Sequence, residues 1–310
     1  MTAELKRRVL VTGGAGFLGC HLVRRLATAG WVVTVLDDYS SPSPLADDLP
    51  ATIVVGSVVA PPPLPGPFDL ICHLASPASP PRYLLDPVGT LRTGAEGMRQ
   101  VLDLAAEWGA HVLFTSTSEV YGDPEVNPQP ESYVGAVDVQ GPRACYDEGK
   151  RYAEALVYAY RRAGLHDRST VVRLFNTYGP GMHPDDGRVV TAFLGAALAG
   201  QPLPIFGDGS QTRSFCYVDD VIDGLMRLLP GEFPGPVNIG NDVEVSMLEL
   251  ADAVEQLIGS TGRRFLALPD GDPKVRRPEL SAITELTGWK ATTDLATGLS
   301  KTIAYLRELT

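Results

Sequence analysis

Short aliphatic runs alternate along the chain with longer stretches in which apolar side chains recur every three or four positions. These are the periods of buried strand and amphipathic helix. Arg8-Val9-Leu10-Val11-Thr12 ends at Gly13 and passes through Gly14-Ala15-Gly16-Phe17-Leu18-Gly19 into a helical pattern carried by Leu22, Val23, Leu26 and Ala29. Further strands are predicted over 31–36, 52–55, 69–75, 111–116 and 169–175, with helices over 88–108 and 143–163. Segments 40–50 and 60–67 are rich in Pro, Ser and Asp and read as loops. Strands alternating with helices predict an α/β fold built on a doubly wound parallel sheet, Rossmann-like. From Pro180 the rhythm breaks. The expected division is therefore 1–179 plus about 216–240 as one domain, and 180–215 plus about 241–310 as a smaller C-terminal one.

Composition narrows the function classes. A net charge of −11 argues against nucleic acid and against anionic membrane surfaces as partners. The four cysteines show no C-x-x-C and no Cys/His cluster, so neither a metal site nor a disulfide framework is expected, and reduced thiols point to the cytoplasm. The N-terminal residues do not read as a signal peptide, and no apolar run approaches the roughly 18–20 residues of a membrane span.

The glycines at 13, 16 and 19 sit between a strand and a helix. There a side chain would hold the backbone away from a pyrophosphate, and the helix N-terminus faces the anion. Asp37 ends the second strand, where a carboxylate accepts hydrogen bonds from ribose hydroxyls and repels a 2′-phosphate, so NAD is expected rather than NADP. The small-residue exit after the fourth strand, beginning at Ala75, could let backbone approach such a cofactor. His73, inside that strand, reads as a structural histidine.

Tyr146 and Lys150 stand four apart in a helical run and share a face. A cation beside a phenol lowers its pKa, which makes Tyr146 a candidate general base with Lys150 as its electrostatic partner. Thr117, Ser118 and Glu119 follow the fifth strand, at the carboxyl edge where ligands of such sheets bind. Hydroxyls there can bond a sugar oxygen, and the carboxyl can exchange a proton. Arginines on loops at 188, 213 and 276 suit phosphate or carboxylate.

Over roughly 8–308 the chain resembles the extended short-chain dehydrogenase/reductase superfamily, and within it the UDP-glucuronate decarboxylases. The residues carrying the resemblance are Leu74-Ala75-Ser76-Pro77-Ala78-Ser79-Pro80-Pro81, Ser116-Thr117-Ser118-Glu119-Val120-Tyr121-Gly122-Asp123-Pro124-Glu125-Val126 and Gly141-Pro142-Arg143-Ala144-Cys145-Tyr146-Asp147-Glu148-Gly149-Lys150-Arg151. Met182-His183, Asp186-Gly187-Arg188-Val189-Val190 and Gly209-Ser210-Gln211-Thr212-Arg213 extend it.

The resemblance implies that Tyr146, assisted by Lys150 and Thr117, removes the C4 hydroxyl proton while NAD⁺ takes the hydride. The C6 carboxylate, then β to a ketone, leaves as CO₂. Glu119 with Ser118 helps protonate C5, and Arg276 holds the carboxylate. It further implies cofactor contacts from Gly13, Gly16, Phe17, Leu18, Gly19, Asp37, Leu74, Ala75, Ser76, Tyr146 and Lys150, and UDP-sugar contacts from Asn176, Arg188, Val189, Arg213 and Arg276. A homodimer through the helices at about 88–108 and 143–163 is also implied.

Related 4,6-dehydratases carry an Asp-Glu pair where this chain has Ser118-Glu119, and 4-epimerases usually have serines and no glutamate there. Two departures concern the cofactor. Ser57 stands where the family often has an aspartate, and the loop from Ser41 to Pro50 is proline-rich. The alternatives to a decarboxylase are a UDP-uronate 4-epimerase and a non-catalytic NAD or nucleotide-sugar binding protein. The product, UDP-xylose or the 4-keto pentose, depends on how fast the ketone escapes.

Overall fold

The computed structural model describes residues 6–309 apart from 230, 232 and 269–272. The chain opens with β1 (Arg8–Thr12), α1 (Phe17–Thr28), β2 (Val32–Asp37), β3 (Thr52–Val55) and β4 (Leu70–His73). Next come α2 (Pro80–Leu85), α3 (Pro87–Arg92), a π-helical turn Thr93–Gly97, α4 (Met98–Trp108), β5 (His111–Thr117), a 3-10 turn Ser118–Tyr121 and α5 (Ala144–Arg162). Beyond these lie β6 (Ser169–Leu174), β7 (Thr177–Tyr178), α6 (Val189–Leu198), β8 (Leu203–Phe206), β9 (Thr212–Ser214), β10 (Cys216–Tyr217) and α7 (Val218–Leu228). The chain ends with β11 (Val237–Ile239), β12 (Glu244–Ser246), α8 (Met247–Ile258), β13 (Arg263–Leu266), α9 (Ser281–Thr287) and α10 (Leu295–Glu308).

Seven parallel strands form one sheet in the order β11-β6-β5-β4-β1-β2-β3. Its central strands are buried on both faces, as crossover helices require. Val9 and Val11 point into a core with Leu22, Val23 and Leu26 of α1 and Val221, Ile222 and Leu225 of α7. Leu10, Ile71, Val112 and Phe114 point the other way, onto Val101, Leu102 and Ala105 of α4 and Ala153 and Val157 of α5. Alternate residues of one strand thus serve two helical layers.

The later part of the chain contributes three small pairings. β8 runs parallel to β13, β9 antiparallel to β12, and β7 parallel to β10. Leu203, Ile205, Met247 and Leu250 join the same core as α1. β11, pairing with β6, returns the chain to the main sheet.

The expected helix over 88–108 is interrupted, and an additional helix precedes it. Prolines occupy the first turns of α2 and α3, where a missing N–H costs nothing, and Asp86 Oδ1 accepts from Gly89 N at 2.9 Å to restart the chain as α3. At the π turn, a Cβ on Gly94 would lie 2.8 Å from the carbonyl oxygen of Gly149, so α5 crosses there against bare backbone. The predicted strand over 69–75 is shorter, 70–73, and the strand expected to stop at 116 includes Thr117. His73 is a core residue. Its Nδ1 lies 2.7 Å from Thr12 Oγ1, its ring stacks on Phe114, and burial lowers its pKa to about 3.

Candidate active site

Crossovers leave β1 in opposite senses, towards β2 on one side and β4 on the other, and a crevice opens at the carboxyl ends of these strands. Two glycine-dependent contacts close its floor. Gly13 has φ +72°, and a Cβ there would stand 2.6 Å from the backbone nitrogen of Ala75; a Cβ on Gly19 would stand 2.2 Å from the carbonyl oxygen of Gly13. The turn from β1 into α1 therefore lies directly against Leu74 and Ala75, which with the next residue, Ser76, are half-buried.

Helix α1 starts at Phe17 with no side-chain cap and no acidic residue in its first turn. The side chains of Phe17 and Leu18 pack on the core, so what these two residues offer a ligand is their N–H groups. Asp37 accepts from Ala15 N at 2.9 Å and Tyr39 N at 2.8 Å. Burial raises its pKa, and these two donors oppose the rise. Its carboxylate holds the glycine turn in place while retaining lone pairs for a ribose. A bare helix N-terminus, a cradle that any Cβ would fill and a carboxylate at the end of β2 fit a dinucleotide.

The proline-rich loop is tied down beside this crevice. Ser43 N donates to Ala15 O at 2.8 Å, Ser43 Oγ donates to Gly181 O at 2.7 Å, and Arg24 Nη2 donates to Leu45 O at 2.8 Å. Ser57 is exposed, its Oγ accepting from Val59 N at 3.2 Å.

Tyr146 and Lys150 lie on the buried face of α5, against the end of β5. The Thr117 side chain acts on the Tyr146 phenol and draws its pKa down, and the Tyr146 ring stacks on Tyr83 with centroids 5.2 Å apart and planes 9° from parallel. Lys150 Nζ donates to Thr115 O at 2.8 Å and stands 6.0 Å from the Tyr146 ring centroid. Burial lowers the Lys150 pKa to about 7, with Glu154 opposing. Burial also pushes the Tyr146 phenol up to about 12, against the lowering influence of Thr117 and Arg188. In this balance burial outweighs what lowers the phenol. A lysine this deeply buried is itself driven towards its neutral form, and its nitrogen is turned to a carbonyl.

Glu119 is the electrostatic hub. Its Oε2 accepts from Arg143 Nη2 at 2.5 Å and from Arg276 Nη2 at 3.0 Å. Burial alone would raise its pKa, yet Arg276, Arg143 and Arg213 outweigh burial and hold the carboxyl below its usual range. Arg276 also donates through Nη1 to Ser118 O at 2.7 Å, and its Nε is buried with no hydrogen-bond partner. That leaves a guanidinium edge for a further acceptor. Ser118 is buried beside it.

Of the remaining candidates, Arg213 on β9 is buried, donates to Thr212 O at 2.8 Å, and is close enough to act on Glu119. Arg188 at the start of α6 pairs with Asp186 through two guanidinium nitrogens and is felt by Tyr146. Val189 is the first residue of α6, and Asn176 sits between β6 and β7, where its carbonyl accepts from Cys216 N at 2.8 Å. The structure therefore gathers Thr117, Ser118, Glu119, Tyr146, Lys150, Arg188, Arg213 and Arg276. Among the described residues no hydrogen bond joins the Asn176 side chain to that group, and Val189 packs against the hydrophobic core.

Sequence reasoning missed Arg143, Tyr83 and Asp147. Arg143 and Asp147 flank Tyr146 on one turn of helix, a signal available from spacing, but their charge partners lie on other elements. It also missed the bidentate pair of Glu154 with Arg173, at 2.7 and 3.0 Å, to which Ser116 Oγ adds a third bond at 2.5 Å. This buried network ties α5 to β5 and β6.

The sequence model of the NAD dependent epimerase/dehydratase family matches residues 9–240. UDP-glucuronic acid decarboxylase 1 of Xenopus tropicalis is 45% identical over 310 residues, spanning 98% of this chain and 73% of that protein. UDP-glucuronic acid decarboxylase 5 of Arabidopsis thaliana is 46% identical over 301 residues, spanning 94% and 87%. Among solved structures, MoeE5 in complex with UDP-glucuronic acid and NAD superposes with a TM-score of 0.85 at 28% identity, covering 98% of this chain and 100% of that one.

Proposed function

The chain belongs to the NAD dependent epimerase/dehydratase family and, within it, to the UDP-glucuronic acid decarboxylases, and from that premise we propose the roles of its residues. It is an NAD-dependent enzyme that decarboxylates UDP-glucuronate by way of a 4-keto uronate, to a product of the UDP-xylose type. NAD⁺, when bound, accepts the C4 hydride and can return it. All other work falls to side chains.

Tyr146 takes the proton from the C4 hydroxyl. The Thr117 hydroxyl steadies the phenolate, and Lys150, poised near neutrality, can supply positive charge. Arg276 offers its unpartnered Nε to the C6 carboxylate. Once C4 is a ketone, the C5–C6 bond can break with its electrons delocalised onto O4, where the Tyr146 hydroxyl now donates. Glu119, beside Ser118, hands a proton to C5. The observation that carries this assignment is the carboxylate of Glu119 held between Arg143 and Arg276 at the end of β5, next to Thr117 and Tyr146. Asn176, Arg188, Val189 and Arg213 are read as binding the UDP portion.

The same reading takes 1–179 with about 216–240 as the NAD-binding domain and the remainder as the nucleotide-sugar domain. The pairing of β11 with β6 supports this. Exposed Leu84, Leu85, Val88 and Leu91 on α2 and α3 support a homodimer through the helices of 88–108 and 143–163. A cytoplasmic location is supported by four buried free cysteines. No helix among the described residues is long and apolar enough to cross a membrane.

The test is incubation with UDP-glucuronate and NAD⁺, following CO₂, reduced cofactor and sugar mass together. CO₂ without lasting reduced cofactor means a closed redox cycle, and CO₂ with matching reduced cofactor means the ketone escapes. Inversion at C4 without CO₂ would overturn the reading in favour of an epimerase.

A further inference from the structure

Arg276 can serve a substrate carboxylate only if its guanidinium stays in one place, yet it is carried by a segment that belongs to no helix or strand. Residues 274–279 lie between β13 and α9, and their backbone is held from two directions. On one side is β9, where Ser214 N donates to Arg276 O at 3.0 Å and Thr212 N donates to Lys274 O at 3.1 Å. On the other side is Gln129.

Gln129 is wholly buried, and each of its polar groups is committed. Its N–H donates to Arg277 O at 2.8 Å, and its carbonyl accepts from Glu279 N and from Asn238 Nδ2, each at 3.0 Å. In the side chain, Oε1 accepts from Arg277 N at 2.8 Å while Nε2 donates to Val126 O at 2.6 Å. An amide suits this post because it offers an acceptor and a donor at once. A buried polar side chain is tolerated when its bonds are made, and here they reach across 148 residues to the neighbour of Arg276.

The stretch from Ser118 to Gln129 thus grips residues 276 and 277 at both of its ends. Its first two residues accept from the Arg276 guanidinium, and its last holds the Arg277 backbone through both N–H and C=O. Among the described residues no hydrogen bond joins Gln129 to Thr117, Tyr146 or Lys150, which are placed by β5 and α5.

We infer that Gln129 is a positioning residue for Arg276, clamping the Arg277 backbone so that the guanidinium stays seated on Ser118 and Glu119 with its Nε free for the C6 carboxylate. Gln129 acts through Arg276 and does not touch the sugar. Its effect is confined to one step. Loss of CO₂ needs the carboxylate held in place, whereas proton and hydride removal at C4 depend on Tyr146 and the cofactor. Misplacing a positioning group by about 1 Å can cost ~10²-fold in rate. The inference rests on the reading that Arg276 holds the carboxylate.

The experiment mixes UDP-glucuronate and NAD⁺ with an excess of enzyme and follows CO₂, reduced cofactor and sugar mass together. Gln129→Met keeps the length of the side chain and removes both of its hydrogen bonds. It should release CO₂ at least about tenfold more slowly, within the ~10²-fold of a misplaced group, while C4 oxidation continues, so that reduced cofactor and a keto sugar still carrying its carboxyl group persist. A merely structural role would lower oxidation and CO₂ release in proportion to the folded fraction. That parallel loss, or wild-type behaviour, overturns the inference. Arg276→Lys, run beside it, keeps the charge without the planar fork and should separate the two steps in the same way. If Arg276→Lys keeps them in step, the role given to Arg276 fails and the clamp with it; if only Gln129→Met does, the clamp alone falls. Should Gln129→Met not fold, hydrogen exchange in the wild type decides. Slow exchange of the Arg277 and Glu279 N–H groups supports the clamp, and exchange at the rate of an open loop overturns it.

Discussion

Arg276 Nη2 lies 3.0 Å from Glu119 Oε2, joining residues 157 apart in sequence. With its other nitrogen on Ser118 O, Arg276 fixes both the backbone and the side chain of the turn that follows β5. The side chain of Arg276 is 1% exposed and that of Glu119 15%, so solvent screens the pair little.

Truncating one partner of a buried pair leaves an uncompensated charge, a loss of about 3–5 kcal/mol. Arg276→Leu should therefore lower the melting temperature as well as abolish CO₂ release, and Arg276→Lys should recover stability more than activity. A melt of Arg276→Leu that overlays the wild type would show that Arg143 alone suffices to hold Glu119.

Tyr146→Phe removes one hydroxyl and keeps the ring that stacks on Tyr83. Turnover should fall by roughly 10²-fold or more, the usual range for a lost acid–base group. The melting temperature and the NAD⁺ affinity measured by calorimetry should stay close to wild type. Retained turnover would exclude Tyr146 as the base.

Two glycines offer a matched contrast. Gly19→Ala places a Cβ 2.2 Å from Gly13 O and 2.7 Å from Gly14 Cα, so the dinucleotide turn must shift, at a cost of about 1–3 kcal/mol or more, and NAD⁺ affinity should drop. Gly195→Ala, within α6, meets nothing within 4 Å and should stabilise by roughly 0.5–1 kcal/mol. Denaturant midpoints of the two variants should move in opposite directions.

His73 has a pH signature. Burial lowers its folded-state pKa to about 3 from an ordinary 6.5, so between these values the unfolded chain binds more protons than the native one. The contribution is fully present above pH 6.5 and is lost as pH falls towards 3, by about 1.4 kcal/mol per unit inside the window. Urea unfolding at several pH values should show a shallower acid loss for His73→Gln than for the wild type. Equal slopes would mean that His73 is solvated in the folded state.

Much of the architecture was written in local periodicity. The strands at 8–12, 52–55 and 169–174, the glycine turn between β1 and α1, and the shared face of Tyr146 and Lys150 all follow from repeats of two and 3.6 residues and from the conformational freedom of glycine. Such signals need no knowledge of what lies across the fold. The interruption of the 88–108 helix did need it, because Gly94 matters through the approach of Gly149 on α5.

The charge state of the site belongs to the tertiary structure alone. Three arginines, at 143, 213 and 276, lower the pKa of Glu119, and Asp147 is left without a hydrogen bond at Oδ1 by the same packing. The sequence could name the acids, bases and guanidinium groups and place several at strand ends. Which of them are desolvated, and beside which opposite charge, depends on where distant loops come to rest, since burial and Coulomb interaction depend on distance in space and not along the chain.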